Sequence, residues 1–225
     1  MIPSRHILNL FVTKLLLLLS CQCLWAEKTK IVCFGDSITN AGYPHLLAPL
    51  VGAETVNAGV GGNNTVQGLK RIQKDVLDHE PDIVIIFFGT NDLRVDSKKE
   101  VPIPEYKKNL TAIAEKVRET GAKILFCTLP LINHEPYFTR HEAEIYGGPE
   151  GLAKLVSDYR SAALAVAKEL EAPIVDLNQL LLEKPNWMRS DGVHPSKTGS
   201  AIIAELIAEE VKPLMPSQPA EPKSE

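Results

Sequence analysis

Five short apolar runs, each nearly continuous, constrain this chain more than any other feature: Ile31–Phe34, Thr55–Asn57, Ile83–Phe88, Ile124–Cys127 and Ile174–Leu177. A strand with one wet face alternates apolar and polar residues, whereas a strand covered on both faces reads as an unbroken apolar run. Between the runs lie stretches with helical spacing. Val66, Leu69, Ile72 and Val76 form one stripe, Tyr106, Leu110, Ile113 and Val117 a second, and Leu152, Val156, Tyr159 and Val166 a third. Ile202, Ile203, Leu206 and Ile207 give a last helix its apolar face. This alternation predicts a doubly wound, three-layer α/β/α fold around a parallel sheet. A chain of 225 residues has room for one such domain and is short for two.

Open parallel sheets bind ligands beyond the C-terminal ends of their strands, and the candidate chemistry falls there. Gly35-Asp36-Ser37-Ile38 ends the first run abruptly and presents a serine at the start of a predicted helix. Asn57-Ala58-Gly59-Val60-Gly61-Gly62-Asn63 and Phe88-Gly89-Thr90-Asn91-Asp92 follow the second and third runs. Near the other end of the chain, Ser190-Asp191-Gly192-Val193-His194-Pro195 places a carboxylate three residues from an imidazole. Nucleophile, base and orienting acid are thus all available, the minimum set for acyl transfer. Each piece alone also has a plainer reading. Gly-Asp-Ser is commonly a turn, Asp-x-x-His a solvated loop, Gly61-Gly62 a strained bend, and Asn91 a turn former.

In this order and spacing, the four segments resemble the SGNH/GDSL hydrolases, a family of serine esterases and lipases. The resemblance spans roughly residues 30 to 212 and implies a hydrolase domain over 28–212, with a five-stranded sheet in the flavodoxin-like order 2-1-3-4-5. It implies Ser37 as nucleophile, His194 as general base and acid, and Asp191 as the group that orients His194. An oxyanion hole would be formed by the N–H groups of Ser37 and Gly62 and the side-chain amide of Asn91. Glycine at 62 lets a backbone N–H approach a ligand with no Cβ in the way. Asp36 and Asp92, beside these positions, read as structural hydrogen-bonders. The expected partner is a small-molecule ester, and no cofactor is implied. Relatives of this shape act on acetylated sugars, lysophospholipids, thioesters or aryl esters. An acidic, exported chain fits acetyl esters of carbohydrates best, with a lysophospholipase or thioesterase as the alternative.

Other readings fit less well. A nucleotide-binding module needs a phosphate-cradling glycine loop, but Asn64 stands where the third glycine of Gly59-x-Gly61-x-x-Gly would fall. An α/β-hydrolase needs Gly-x-Ser-x-Gly, and the sequence here is Gly-Asp-Ser-Ile-Thr. A non-catalytic carbohydrate-binding relative would lack part of the catalytic set, and none is missing. The net charge of −4, without a basic cluster, argues against nucleic acid. His134-Glu135 and His141-Glu142 lack the second histidine of a zinc-binding His-Glu-x-x-His, so no metal is expected.

Two segments break the alternation. Residues 129–150 are too long for a plain strand-to-helix connection, and the reading stands open between a binding lid and irregular surface. Tyr137, Arg140, His141 and Tyr146 within it, with Asn63 on the second loop, are candidate substrate contacts. The Pro-, Ser-, Glu- and Lys-rich stretch 213–225 reads as a disordered tail.

Residues 1–26 read as a secretory signal, with Arg5 and Lys14 ahead of a leucine-rich segment and a small residue at Ala26. Export, periplasmic or extracellular, is the expectation. Removal takes away two cations and no acid, moving the charge from −4 to −6. The alternative is a lipoprotein signal cleaved before Cys21, the one route by which a membrane would become a partner. After cleavage at Ala26 only Cys33 and Cys127 remain. In the strand order that the resemblance implies, a whole strand separates them, and the expectation is two unbridged thiols.

Overall fold

The computed structural model describes residues 28–216. The segment read as a signal, with Cys21, and the residues beyond Pro216 lie outside the described residues. The first half of the domain runs β1 (Lys30–Gly35), α1 (Ser37–Asn40), α2 (Tyr43–Val51), β2 (Glu54–Gly59), α3 (Thr65–Asp75), β3 (Ile83–Phe87) and α4 (Ile103–Arg118). The second runs β4 (Lys123–Cys127), α5 (His134–Tyr137), α6 (Ala143–Tyr146), α7 (Gly148–Glu169), β5 (Ile174–Val175), α8 (Leu177–Leu180) and α9 (Lys197–Val211). All strand pairings are parallel, in the order β2-β1-β3-β4-β5.

Why the runs are continuous is visible in the alternation of faces. Val32, Phe34, Val84, Ile86, Ile124 and Phe126 pack into a core closed by α3, α4 and α7. Their neighbours Ile31, Cys33, Ile83, Ile85, Leu125 and Cys127 pack into another closed by α2 and α9. Successive strand side chains point to opposite faces, so a sheet covered twice needs an apolar residue at every step.

Several boundaries differ from expectation. The fifth strand stops at Val175 and Leu177 opens α8, because Asp176 is drawn out of the sheet by Arg160 and by Thr128 Oγ1 at 2.9 Å. β3 ends at Phe87, one residue early, and β1 continues past Phe34 to Gly35. The buried positions of α3 are Thr65, Gly68 and Ile72, while Val66 and Leu69 are half-buried. Gly68 lies against the Phe88 ring, where an added Cβ would come within 2.9 Å. A search for apolar bulk passes over glycine, although close packing required it here. Pro213 and Leu214 belong to the domain and not to the tail. Lys212–Leu214 forms a 3₁₀ turn, Lys123 Nζ donates to the Leu214 carbonyl at 2.7 Å, and Leu214 and Met215 pack on the second core.

Cys33 opposes Ile85 of β3, and Cys127 opposes Val175 of β5, so β3 does lie between the thiols. Both are buried and unbridged, and burial pushes Cys33 up to about 12. The protein should therefore incorporate a thiol reagent at both positions only after denaturation, with no reductant needed. A Cys33–Cys127 bridge in non-reducing peptide mass spectrometry would contradict this topology.

Candidate active site

The turn after β1 is built for close approach. A Cβ on Gly35 would sit 2.2 Å from Thr39 Oγ1 and 2.5 Å from the Phe87 carbonyl oxygen, so only glycine lets α1 fold back against the strand. Asp36 caps α1 by accepting from the Ile38 N–H at 2.9 Å. Its other oxygen accepts from Asn91 Nδ2 at 3.3 Å. That bond orients the Asn91 amide and engages one of its two N–H groups. Burial pushes Asp36 from its usual 3.8 to about 7, against the lowering effect of the Ile38 N–H. Ser37 follows directly, at the first position of α1.

His194 arrives from a loop held by Asp191. One Asp191 oxygen accepts the backbone N–H groups of Val193 and His194 at 2.9 and 3.0 Å. The other lies 2.7 Å from His194 Nδ1, and His194 Nε2 lies 2.9 Å from Ser37 Oγ. Burial alone would raise the Asp191 carboxyl, but the His194 and Val193 N–H groups and the imidazole bring it down to about 2. A carboxylate so held fixes the imidazole with its Nδ1 proton inward and Nε2 free to take a proton from the serine. Gly192, at φ 77°, makes the bend, and a Cβ there would meet the Asn133 carbonyl oxygen at 2.6 Å.

The loops after β2 and β3 are braced against each other. Lys99 Nζ donates to the Gly62 carbonyl at 2.9 Å, and Asn64 Nδ2 donates to the Lys99 carbonyl at 2.8 Å. Asn64 also caps α3 reciprocally with Gln67. Asp92 accepts from the N–H and hydroxyl of Thr65 at 2.9 and 2.6 Å. Beneath them, Arg71 donates to the Gly35 carbonyl, the Ala58 carbonyl and Asn63 Oδ1 at 2.7, 2.8 and 2.9 Å. Its guanidinium lies over the Phe34 ring at 4.5 Å.

Residues 129–150 supply a wall of the cleft. Tyr137 and Tyr146 are buried, with their hydroxyls 2.9 Å apart. His141 stacks on Tyr137 at 4.0 Å between centroids. Asp96 anchors the wall: its oxygens lie 2.5 Å from His141 Nδ1, 2.6 Å from Tyr146 OH and 3.2 Å from Arg94 Nε. Burial would raise Asp96, but Tyr146, His141 and Arg94 hold it at about 2.

Together these segments enclose a cleft of about 320 Å³ lined by Ser37, Gly62, Asn91 and His194, by Tyr137, Arg140 and His141 from the wall, and by Thr90, Arg94 and Val193. Two candidate contacts are absent from that lining. Asn63 turns down to Arg71, and Tyr146 stands behind the wall as a strut. Sequence reasoning missed Thr90, Arg94, Asp96 and Val193. The nearest signal was position, since Thr90 and Val193 lie inside the quoted motifs and Arg94-Val95-Asp96 follows the Gly-Thr-Asn-Asp block directly. Among the described residues, no group of three or more His, Cys, Asp or Glu is placed to hold a metal ion.

Sheet order and loop placement define an SGNH-type α/β/α hydrolase fold. Residues 33–202 match the GDSL-like Lipase/Acylhydrolase family, and the chain belongs to it. It is a carboxylic ester hydrolase of that family. Among similar curated proteins is an uncharacterized lipoprotein of Bacillus subtilis, 29% identical over 90% of this chain and 96% of its own. The thioesterase 1/protease 1/lysophospholipase L1 of Escherichia coli is 27% identical over 84% and 86%. An acetylxylan esterase of Geobacillus stearothermophilus is 27% identical over 81% of each. The crystal structure of a lipase/acylhydrolase from Enterococcus faecalis superposes with a TM-score of 0.69, at 27% identity, over 85% of this chain and all of that one.

Two buried carboxyls set a pH trend. Asp36 and Asp92 are raised by burial from 3.8 to about 7 and about 6. Over roughly pH 4 to 7 they hold more protons folded than unfolded, so their contribution to stability is full below that window and lost as pH rises through it. The Tm should decline across the window, and the decline should be shallower in Asp36→Asn. Equal slopes in thermal melts of the two proteins would remove Asp36 as a cause.

Proposed function

We propose that Ser37 is the nucleophile of this ester hydrolase, with His194 as general base and acid and Asp191 as its orienting carboxylate. The observation that carries this reading is the continuous hydrogen-bonded line from Ser37 Oγ through His194 to Asp191, opening on the cleft. Ser37 Oγ attacks the ester carbonyl as His194 Nε2 takes its proton. The N–H groups of Ser37 and Gly62 and the Asn91 amide receive the charge that develops on the carbonyl oxygen. His194 then returns the proton to the departing alcohol, leaving an acyl-Ser37. Water deprotonated by His194 attacks that ester and releases the carboxylic acid and the free serine.

The substrate we infer is a short acyl ester, in particular an acetyl ester of a carbohydrate. Thr90, Asn91, Arg94, Arg140 and His141 bring hydrogen-bonding groups to the lining, and Val193 and the Tyr137 ring supply apolar surface beside them. In a cleft of about 320 Å³ the apolar surface covers a short acyl group, and each further methylene left outside it forgoes about 0.8 kcal/mol of burial, whereas sugar hydroxyls would find donors and acceptors beside it. The acetylxylan esterase relative agrees with this reading. The relative named for thioesterase and lysophospholipase activity supports the alternative, a lipid acylhydrolase. Export is inferred from the leader together with the lipoprotein relative, and anchoring at Cys21 is its variant form.

Ser37→Ala should abolish ester turnover and labelling by a fluorophosphonate without loss of fold by circular dichroism. Labelling that persists would remove Ser37 from its role. Asp191→Asn and His194→Ala should each cost on the order of 10⁴ in kcat. In the double variant the losses should not add, because the pair acts as a unit.

Asn91→Ala should lower kcat about 10²–10³-fold with KM nearly constant. A raised KM at constant kcat would make Asn91 a ground-state binder. Across p-nitrophenyl esters, kcat/KM should fall from acetyl to octanoyl, and acetylated xylooligosaccharides should be deacetylated. Rates that climb with chain length would establish the lipid reading instead.

A further inference from the structure

Three cations border this cleft, and among the described residues only Arg94 has a carboxylate partner. Arg94 and Arg140 line it, and Lys99 bonds the Gly62 carbonyl at its edge. Among the described residues, Arg140 has one partner, the backbone carbonyl of Asp191 at 2.5 Å, and it forms no salt bridge. Lys99 likewise forms none. Asp96 pairs with Arg94, but it is already shared with His141 and Tyr146. Asp191 is committed to His194. Glu142 and Glu144 line a separate hollow on the same loop, where Arg140 and His141 also border, and neither pairs with Arg140. A chain of net charge −4 thus keeps at its cleft a guanidinium, Arg140, that has no carboxylate partner among the described residues.

We infer that Arg140, with Arg94 beside it, forms an anion subsite that receives a carboxylate or phosphate on the alcohol portion of the ester substrate. This rests on the reading that the cleft holds the ester. A guanidinium offers two parallel N–H donors that match the oxygens of either anion. Arg140 is free to use them because a single carbonyl occupies part of its fork. Asp96 fixes the Arg94 guanidinium while it holds His141 and Tyr146, and Arg140 lines the same cleft. The subsite lies next to His194 through the Arg140–Asp191 contact. An anion bound there would therefore share the cleft with Ser37 and His194. Substrates of this class include acetylated uronic acid glycosides, and acyl esters whose alcohol bears a phosphate.

The test compares three acetate esters on the full-length enzyme: a monoacetylated methyl glucoside, its C6-carboxylate counterpart and its C6-phosphate counterpart. In wild type, kcat/KM for at least one anionic ester should exceed that for the neutral one by about tenfold or more, mostly through KM. Charge-assisted hydrogen bonds contribute on that scale. The advantage should shrink as ionic strength rises. In Arg140→Gln the anionic-to-neutral ratio should fall toward one, and in Arg140→Lys part of it should return. The ratio cancels any loss common to all three esters, including loss from releasing the Asp191 carbonyl.

Preference for the carboxylate alone or the phosphate alone supports the subsite and names its anion. A wild-type ratio near one for both anions, or a ratio unchanged in Arg140→Gln, overturns it. Calorimetric binding of methyl glucuronoside and of glucose 6-phosphate, against methyl glucoside, reads the same contrast without turnover. If none of the acetates is hydrolysed, the acetyl-ester reading fails while the calorimetry still decides the subsite.

Discussion

One guanidinium holds the catalytic edge of the sheet together. Arg71 reaches the last carbonyl of β1, the carbonyl next to the end of β2 and the side chain of Asn63, while its face lies on Phe34. The Gly35 carbonyl also accepts from the Val60 N–H at 3.1 Å, so Arg71 adds a second donor at that strand end. The five fixed donors of arginine can serve several acceptors from a single direction. Because β1 leads into Ser37 and β2 into Gly62, the bonds to Arg71 set the separation of two groups that the proposed chemistry requires. Asp75 pairs with the same guanidinium at 3.0 Å and balances its charge.

The braces around this hub divide the work. Asp36 joins the serine turn to Asn91, Asp92 joins the third loop to the start of α3, and Lys99 with Asn64 joins the second loop to the third. Both aspartates are buried so deeply that the loss of water outweighs their hydrogen-bond donors and raises them. Their role is positional. In Asp191 and Asp96 the balance is reversed, because several donors converge on each and keep it ionised. The cleft thus separates carboxylates held charged at its walls from carboxylates pushed toward neutrality beneath it.

Much of this was legible in the sequence, and for identifiable reasons. Strands buried on both faces leave continuous runs such as Ile83–Phe87, and the four segments beyond their ends keep their order whatever the loops do. Glycine and polar positions were the harder part. Gly68 is a packing residue with no side chain to betray it, and Asp96 acts on partners 45 and 50 residues away that share no period with it. Tyr146 and Asn63 were read as contacts because they lie in loops at the active edge. Burial and hydrogen bonding turned both away from the cleft. The end of β5 was misplaced for a similar reason, since Arg160 reaches Asp176 from the preceding helix.

The bend at Gly192 has a consequence for how such an enzyme can diversify. Its backbone is pressed against Asn133 and Pro136, and Asn133 N–H donates to the Gly192 carbonyl at 2.8 Å. The segment that forms the substrate wall is therefore also the buttress of the loop that carries Asp191 and His194. Specificity and reactivity are not separable modules here. A lineage that exchanged this insertion for another would have to re-seat its base at the same time, so new substrates are more accessible through point changes on the wall than through its replacement.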